Sequence, residues 1–112
     1  MYDADLASCN KLKLNTYENG IYLGNEDNPY IVLVKAKNDT IRNCTVYDGA
    51  RVIAPFAFAK HQELRSVIIP GSVIEIGASA FDTCPMLSSV SILDGVKVIG
   101  NAAFHRCRAL EQ

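Results

Sequence analysis

The sequence predicts a β-rich α/β fold, a short right-handed solenoid with a β-hairpin inserted near its N-terminus, in a single domain of 112 residues. Three observations carry this reading. The stretch IGASAFDTCPML, Ile76 to Leu87, returns 23 residues later as IGNAAFHRCRAL, Ile99 to Leu110. Short strand patterns, with apolar residues in fixed places, recur at the same interval. Residues 17–38 interrupt that rhythm with two apolar runs bounded by turn residues. A fixed period of this length is the signature of stacked repeats, in which each unit buries its apolar face only against its neighbours.

The repeat resolves into columns. Ile53, Ile76 and Ile99 are in step, as are Ala57, Ala80 and Ala103, then Phe58, Phe81 and Phe104, then Leu64, Leu87 and Leu110. Ala54, Gly77 and Gly100 keep the same beat, with Ala50, Val73 and Val96 before them and His61, Cys84 and Cys107 after them. Only His61 departs from the chemistry of its column. Leu64-Arg65-Ser66-Val67-Ile68-Ile69 matches Leu87-Ser88-Ser89-Val90-Ser91-Ile92, with apolar first, fourth and sixth places, and the last two share one face of a strand. One period earlier, Ile41-Arg42-Asn43-Cys44-Thr45-Val46 has the same places. At the N-terminus, Leu6 to Leu12 is spaced like Phe81 to Leu87, with Cys9 in the cysteine place, so the chain opens within a repeat. The predicted organisation is a partial repeat at 1–12, a hairpin insertion at 13–40 and about three 23-residue repeats at 41–112, the last incomplete.

These residues resemble the BspA-like leucine-rich repeat family, whose unit reads approximately Val-x-x-Ile-Gly-x-x-Ala-Phe-x-x-Cys-x-x-Leu-x-x-Val-x-Ile-Pro. Val73 through Ile92 fits nearly every place, and the likeness covers residues 49–112 well and 1–12 and 41–48 loosely. Ala54 and His61 depart from the glycine and cysteine places, and Leu93 from the proline place held by Pro70. The resemblance implies a leucine-rich-repeat fold, a hairpin insertion between repeats at 17–38, and a protein-interaction module from a larger cell-surface or secreted protein with a role in adhesion or ligand binding.

The physics of stacking explains the residue choices independently. Parallel strands lie about 4.8 Å apart, so each side chain sits over its equivalent in the next unit and like stacks on like. Gly77 and Gly100 follow the Ile at a corner where a positive φ or a close backbone approach would exclude a side chain. Pro70 with Gly71 ends the strand at the opposite corner, because proline offers no ladder donor. In the hairpin, Glu18-Asn19-Gly20 is turn chemistry, Ile21 to Leu23 a short strand, Gly24 to Pro29 a polar loop, and Tyr30 to Lys37 a strand whose first half is apolar on both faces. The hairpin is expected to cover part of the core.

Composition excludes several classes. A net charge of −1 without any basic run lacks the footprint that phosphate binding needs, which argues against a nucleic-acid partner. The longest apolar stretches, 30–34 and 53–59, fall far below the roughly 20 residues that span a bilayer, so no membrane insertion is expected. The first residues have acidic side chains and no apolar run of signal-peptide type.

No catalytic, cofactor or metal constellation emerges, and no enzyme is expected. Cys9, Cys84 and Cys107 share one repeat place and Cys44 an inward strand place, which is how small buried residues behave. Stacked equivalents point the same way, unlike disulfide partners, and no Cys-x-x-Cys or histidine pair offers a zinc site. His61 and His105 have no partner suited to a catalytic dyad. Glu26-Asp27-Asn28 lacks calcium-loop spacing and reads as a solvated turn. The sequons at Asn38 and Asn43 are too short to weigh.

A protein partner would meet the outward strand places. These form one row of Asn43, Ser66 and Ser89 and a second of Thr45, Ile68 and Ser91, small and uncharged apart from Ile68. Tyr17, Tyr22, Tyr30 and Tyr47 offer a second aromatic surface, or half-buried packing. At the C-terminal end, strand 89–92 forms an edge without a guarding lysine or proline, so a homo-oligomer joined through this edge, a structural self-assembling unit, is the alternative expectation.

Overall fold

A computed structural model of the chain describes residues 12–111. The partial repeat read at 1–12, with Leu6 and Cys9, lies outside these residues except for Leu12.

The described chain begins with three antiparallel strands, β1 (Lys13–Tyr17), β2 (Gly20–Gly24) and β3 (Val32–Ala36). The sequence had indicated only two here. β1 was missed because Leu14 is exposed and the strand is held by pairing with β2 rather than by an apolar face of its own. Glu18 takes φ 49° in the tight turn to β2. Of the run that is apolar on both faces, only Leu33 is fully buried; Tyr30, Ile31, Val32 and Val34 are half-buried.

From Ile41 onward the chain alternates between two parallel sheets. β4 (Asn43–Thr45), β6 (Ser66–Ile69) and β8 (Ser89–Ile92) pair in that order as a three-stranded sheet. β5 (Val52–Ile53), β7 (Glu75–Ile76) and β9 (Val98–Ile99) extend the first three strands into a six-stranded sheet of order β1-β2-β3-β5-β7-β9. Within the repeats each partner is the residue 23 places on, as in Val67 with Val90 and Ile53 with Ile76. The first step is shorter: Leu33 pairs with Ile53, 20 places on.

Where each unit returns from the six-stranded sheet, the α component of the expected fold is replaced by turns. The described residues contain no α-helix, only a 3-10 segment at Arg108–Glu111. The reason is in the backbone: Phe56 and Lys60, Ser79 and Thr83, and Ala102 and Arg106 all take φ between 57° and 62°, a left-handed residue at every fourth position that no right-handed helix tolerates. Alternate amides of these segments reach sideways. Those of Phe56, Phe58 and Lys60 donate to the carbonyls of Ala78, Ala80 and Asp82 at 3.1, 2.6 and 2.7 Å. Those of Ser79, Phe81 and Thr83 donate to Asn101, Ala103 and His105 at 2.9, 2.7 and 2.7 Å. A turn segment that would otherwise be a loop thereby becomes a third hydrogen-bonded stack.

The core lies between the two sheets and the turn stack. Ile53 and Ile76, Ala57 and Ala80, Phe58 and Phe81, and Leu64 and Leu87 are all buried, so the columns read from the sequence are columns of the interior. Phe58 and Phe81 stack with centroids 5.4 Å apart and planes 17° apart, and Phe81 and Phe104 at 5.3 Å and 3°. The close approach expected after the isoleucines is real: a Cβ on Gly77 would sit 2.5 Å from the Pro55 nitrogen, and one on Gly100 2.4 Å from the Ala78 nitrogen.

The cysteine column has a polar function within the apolar interior. Cys44, Cys84 and Cys107 are buried, and the thiols of Cys84 and Cys107 donate to the carbonyls of Phe58 and Phe81, each at 3.0 Å. His61, the exception, does the equivalent with its ring: Nε2 lies 3.0 Å from the Asn38 carbonyl. The thiols reach back 26 residues and the imidazole 23, which matches the first step being three residues shorter than the others. Burial pushes the Cys44 and Cys84 thiols up to about 12 from an ordinary 9.0.

Two outcomes follow from this packing. Phe81 has an aromatic neighbour on both faces, so Phe81→Ala should cost about 3–5 kcal/mol in urea unfolding and Phe104→Ala distinctly less; equal small losses would contradict the stack. The raised thiols place their stabilising contribution below the unfolded value of 9.0, and it is lost as pH rises toward about 12. The melting temperature should therefore fall between pH 9 and 12, and Cys84→Ala should shallow that fall, as thermal scans in that range will show.

Candidate functional site

The three-stranded sheet positions the residues singled out from the sequence. Because side chains alternate along a strand, Cys44, Val67 and Val90 face inward and their neighbours on either side face out. The parallel register then aligns Asn43 with Ser66 and Ser89, and Thr45 with Ile68 and Ser91. All six predicted residues are thus brought together as two straight rows on one face. Ser66 is half-buried and the other five are exposed, including Ile68, an apolar side chain left 46% exposed on the central strand.

This face carries no charge within its rows. The Ser66 hydroxyl donates to Asn43 Oδ1 at 2.6 Å, a bond across the strands that fixes the start of the first row. From the antiparallel strands, the Asn19 amide nitrogen donates to the Asn43 carbonyl at 2.6 Å. That tie was not visible in the sequence, because Asn19 read only as turn chemistry and its partner lies 24 residues away. Arg42, just ahead of β4, lies 4.0 Å from Glu63, and both side chains are well exposed, so the pair adds little to stability.

The tyrosine surface proves to be mainly packing. Tyr22 is fully buried and its hydroxyl accepts the Tyr47 amide at 3.0 Å. Tyr17, Tyr30 and Tyr47 are half-buried around one another, with ring centroids 4.8–5.3 Å apart. Burial raises the Tyr22 phenol well above its ordinary value. The cluster fastens the antiparallel strands to the first repeat unit.

Three other features were missed from the sequence. Asp82 and His105, one 23-residue step apart, meet on the turn stack at 3.3 Å. The Thr83 hydroxyl, and then His105, hold the Asp82 carboxyl below its usual range. A depression of about 410 Å3 lined by Asp39, Thr40, Lys60, His61, Gln62 and Glu63 lies beside the shortened first step. His61 Nδ1, buried there, has no hydrogen-bond partner among the described residues. Phe56, in the column of Ser79 and Ala102, is 66% exposed on a left-handed backbone, the one large apolar side chain in that place.

Among the described residues no group of three or more His, Cys, Asp or Glu side chains is placed to hold a metal ion, and no helix is long and apolar enough to cross a membrane. The two-row face is built from side chains and not from a cavity. It offers hydroxyl and amide groups of both hydrogen-bonding polarities around one exposed isoleucine.

Comparison with curated proteins and with solved structures gives no match. The family model of the BspA type leucine rich repeat region (6 copies) matches residues 36–112, which include β4 to β9 and the turn stack. The repeat read from the columns and the family model coincide over most of the chain, and the protein belongs to the BspA-type leucine-rich repeat family.

Proposed function

We propose that this chain is a non-enzymatic protein-interaction module whose contact surface is the solvent face of the three-stranded sheet. The observation that carries the reading is the pair of aligned rows, Asn43-Ser66-Ser89 and Thr45-Ile68-Ser91, with Ile68 exposed at their centre. Main-chain pairing holds these side chains at fixed spacing before any partner arrives, which lowers the ordering cost of binding. The uncharged, small-residue surface suits a protein segment lying along the strands, with Ile68 as the apolar anchor and the hydroxyls as adaptable hydrogen-bonding groups.

In the same reading the repeat units wind as a short right-handed solenoid, the antiparallel strands are an insertion that covers its first unit, and residues 1–112 form one repeat domain. Family membership supports a setting in a larger cell-surface or secreted repeat protein engaged in adhesion or ligand binding, and supports a protein as the partner.

Selection of a displayed peptide library against the purified chain tests this. Binders enriched on the native chain should lose at least tenfold in affinity for an Ile68→Lys, Ser91→Glu variant and keep it for Ser79→Glu on the turn stack. Both changes to the sheet lie on its solvent side and should shift stability by no more than about 0.5 kcal/mol each. Binders that ignore the sheet variants and respond to Ser79→Glu would refute the assignment.

A further inference from the structure

The solvent side of the six-stranded sheet carries a row that the 23-residue period does not show, because half of it lies in the antiparallel strands. Pairing sets Leu14 beside Leu23, Leu23 beside Val32, Val32 beside Val52, Val52 beside Glu75 and Glu75 beside Val98. The neighbours Tyr22, Leu33, Ile53 and Ile76 along the strands are fully buried, so alternation turns the row outward. Leu14 is exposed, and Leu23, Val32 and Val52 are half-buried. Strands covered on one face alternate apolar and polar residues, while strands covered on both faces run apolar continuously. β2 and β3 are of the second kind: Ile21 to Leu23 and Tyr30 to Val34 contain no alternating polar place. The described residues cover only the face that holds Tyr22 and Leu33. Burial of the outward face as well is favourable at about 25 cal/mol per Å2 of apolar surface, and an apolar sheet face is ordinarily buried against another layer.

Charge and spacing describe the cover. Lys13, Arg51 and Lys97 precede Leu14, Val52 and Val98 in the chain, and Lys35 pairs with Ile21, which shares the outward face with Leu23. All four cations are exposed, and none of them is in an ion pair among the described residues. Glu75 is the acidic member of the row, whereas Glu26 and Asp27 belong to the loop after β2. A fitting cover therefore carries carboxylates along its flanks and a hydrogen-bond donor opposite Glu75. Successive places in the row are about 4.8 Å apart. One turn of an α-helix rises about 5.4 Å, whereas same-face residues of an extended strand recur only at about 6.6 Å. The helix is the closer match.

The same charges disfavour other occupants. Two copies of the chain laid row on row about a two-fold axis along the row would set Glu75 against Glu75, and about an axis along the strands would set Lys13 against Lys97 and Glu75 against Leu23. Against lipid acyl chains Glu75 would lose water and gain no donor. We propose that the outward face of the six-stranded sheet docks an acidic amphipathic helix of another polypeptide. Its aliphatic side chains, one per turn, lie along Leu14, Leu23, Val32 and Val52, its flanking Asp or Glu residues meet Lys13, Lys35 and Arg51, and a donor side chain continues the row to Glu75. The core lies between the two sheets, so this face points away from the three-stranded sheet, and the inference does not rest on the contact surface proposed there.

Nuclear magnetic resonance of the full chain, labelled in its Ile, Leu and Val methyl groups, tests this with a synthetic helical peptide as the probe. The peptide has about 18 residues, or about 27 Å of helix, with leucine once per turn, glutamine ending that row and glutamate along both flanks; a control peptide has lysine in place of every glutamate. The glutamate peptide should shift the methyl signals of Leu23, Val32 and Val52, and the lysine peptide should bind at least tenfold more weakly. A Lys35→Glu, Arg51→Glu variant should reverse that order, and Ile68→Lys should leave it unchanged. No shift of these methyls at millimolar glutamate peptide, equal binding of the two peptides, or an order that survives the double variant would overturn the proposal. Nuclear Overhauser contacts between residues 1–11 and the row in the free chain would overturn it in favour of an internal cover. Broadening of the same signals by phosphatidylcholine vesicles containing phosphatidylserine, without any response to the glutamate peptide, would overturn it in favour of a membrane surface.

Discussion

The close approach of one backbone to the next at the glycine corners is the constraint on which the rest depends. With hydrogen in place of a side chain at Gly77 and Gly100, the corners of successive units nest, and both parallel sheets and the turn stack can run at strand spacing together. The phenylalanine rings then fall at 5.3 and 5.4 Å, within the range of favourable aromatic pairing. At that separation the Cys84 and Cys107 thiols reach the carbonyls of the preceding phenylalanines. A wider spacing would forfeit the turn hydrogen bonds, the ring stack and the thiol contacts at once, because all three bridge the same pair of units.

The first step shows what happens when the period changes. It is three residues shorter, and two of the departures from the repeat pattern, Ala54 and His61, are residues that face it. Ala54 stands where later units need glycine, and His61 reaches the Asn38 carbonyl in place of a thiol. Tyr22, Tyr17, Tyr30 and Tyr47 close this region from the side of the antiparallel strands. The irregular residues are therefore a consequence of joining a meander to a regular stack.

These features also explain what was legible in the sequence. The isoleucine, phenylalanine, leucine and cysteine columns could be read because side chains that stack on their own equivalents are held to one chemistry. The two outward rows could be read because alternation along the strand combines with the 23-residue step. β5, β7 and β9 escaped because strands of two residues show no alternation. The turns escaped because their left-handed positions hold Phe56, Lys60, Ser79, Thr83, Ala102 and Arg106, residues without glycine's local signal. The exposure of Ile99 escaped for another reason: its column predicts burial, and only the structure reveals that no described neighbour completes the contact.

This construction creates two kinds of surface. The sides of the stack present side chains at regular spacing, and Ile68 stands among small polar groups there. The unit nearest the C-terminus leaves Ile92 and Ile99 exposed in columns that are buried in the units before it. Thermal unfolding of Gly77→Ala tests the shared foundation most directly. A methyl group at this corner should force the units apart and cost about 1–3 kcal/mol, lowering the melting temperature by at least about 4 °C. An unchanged or raised melting temperature would contradict the account, since it would mean that the approach of the backbones at the corner does not set the spacing of the stack.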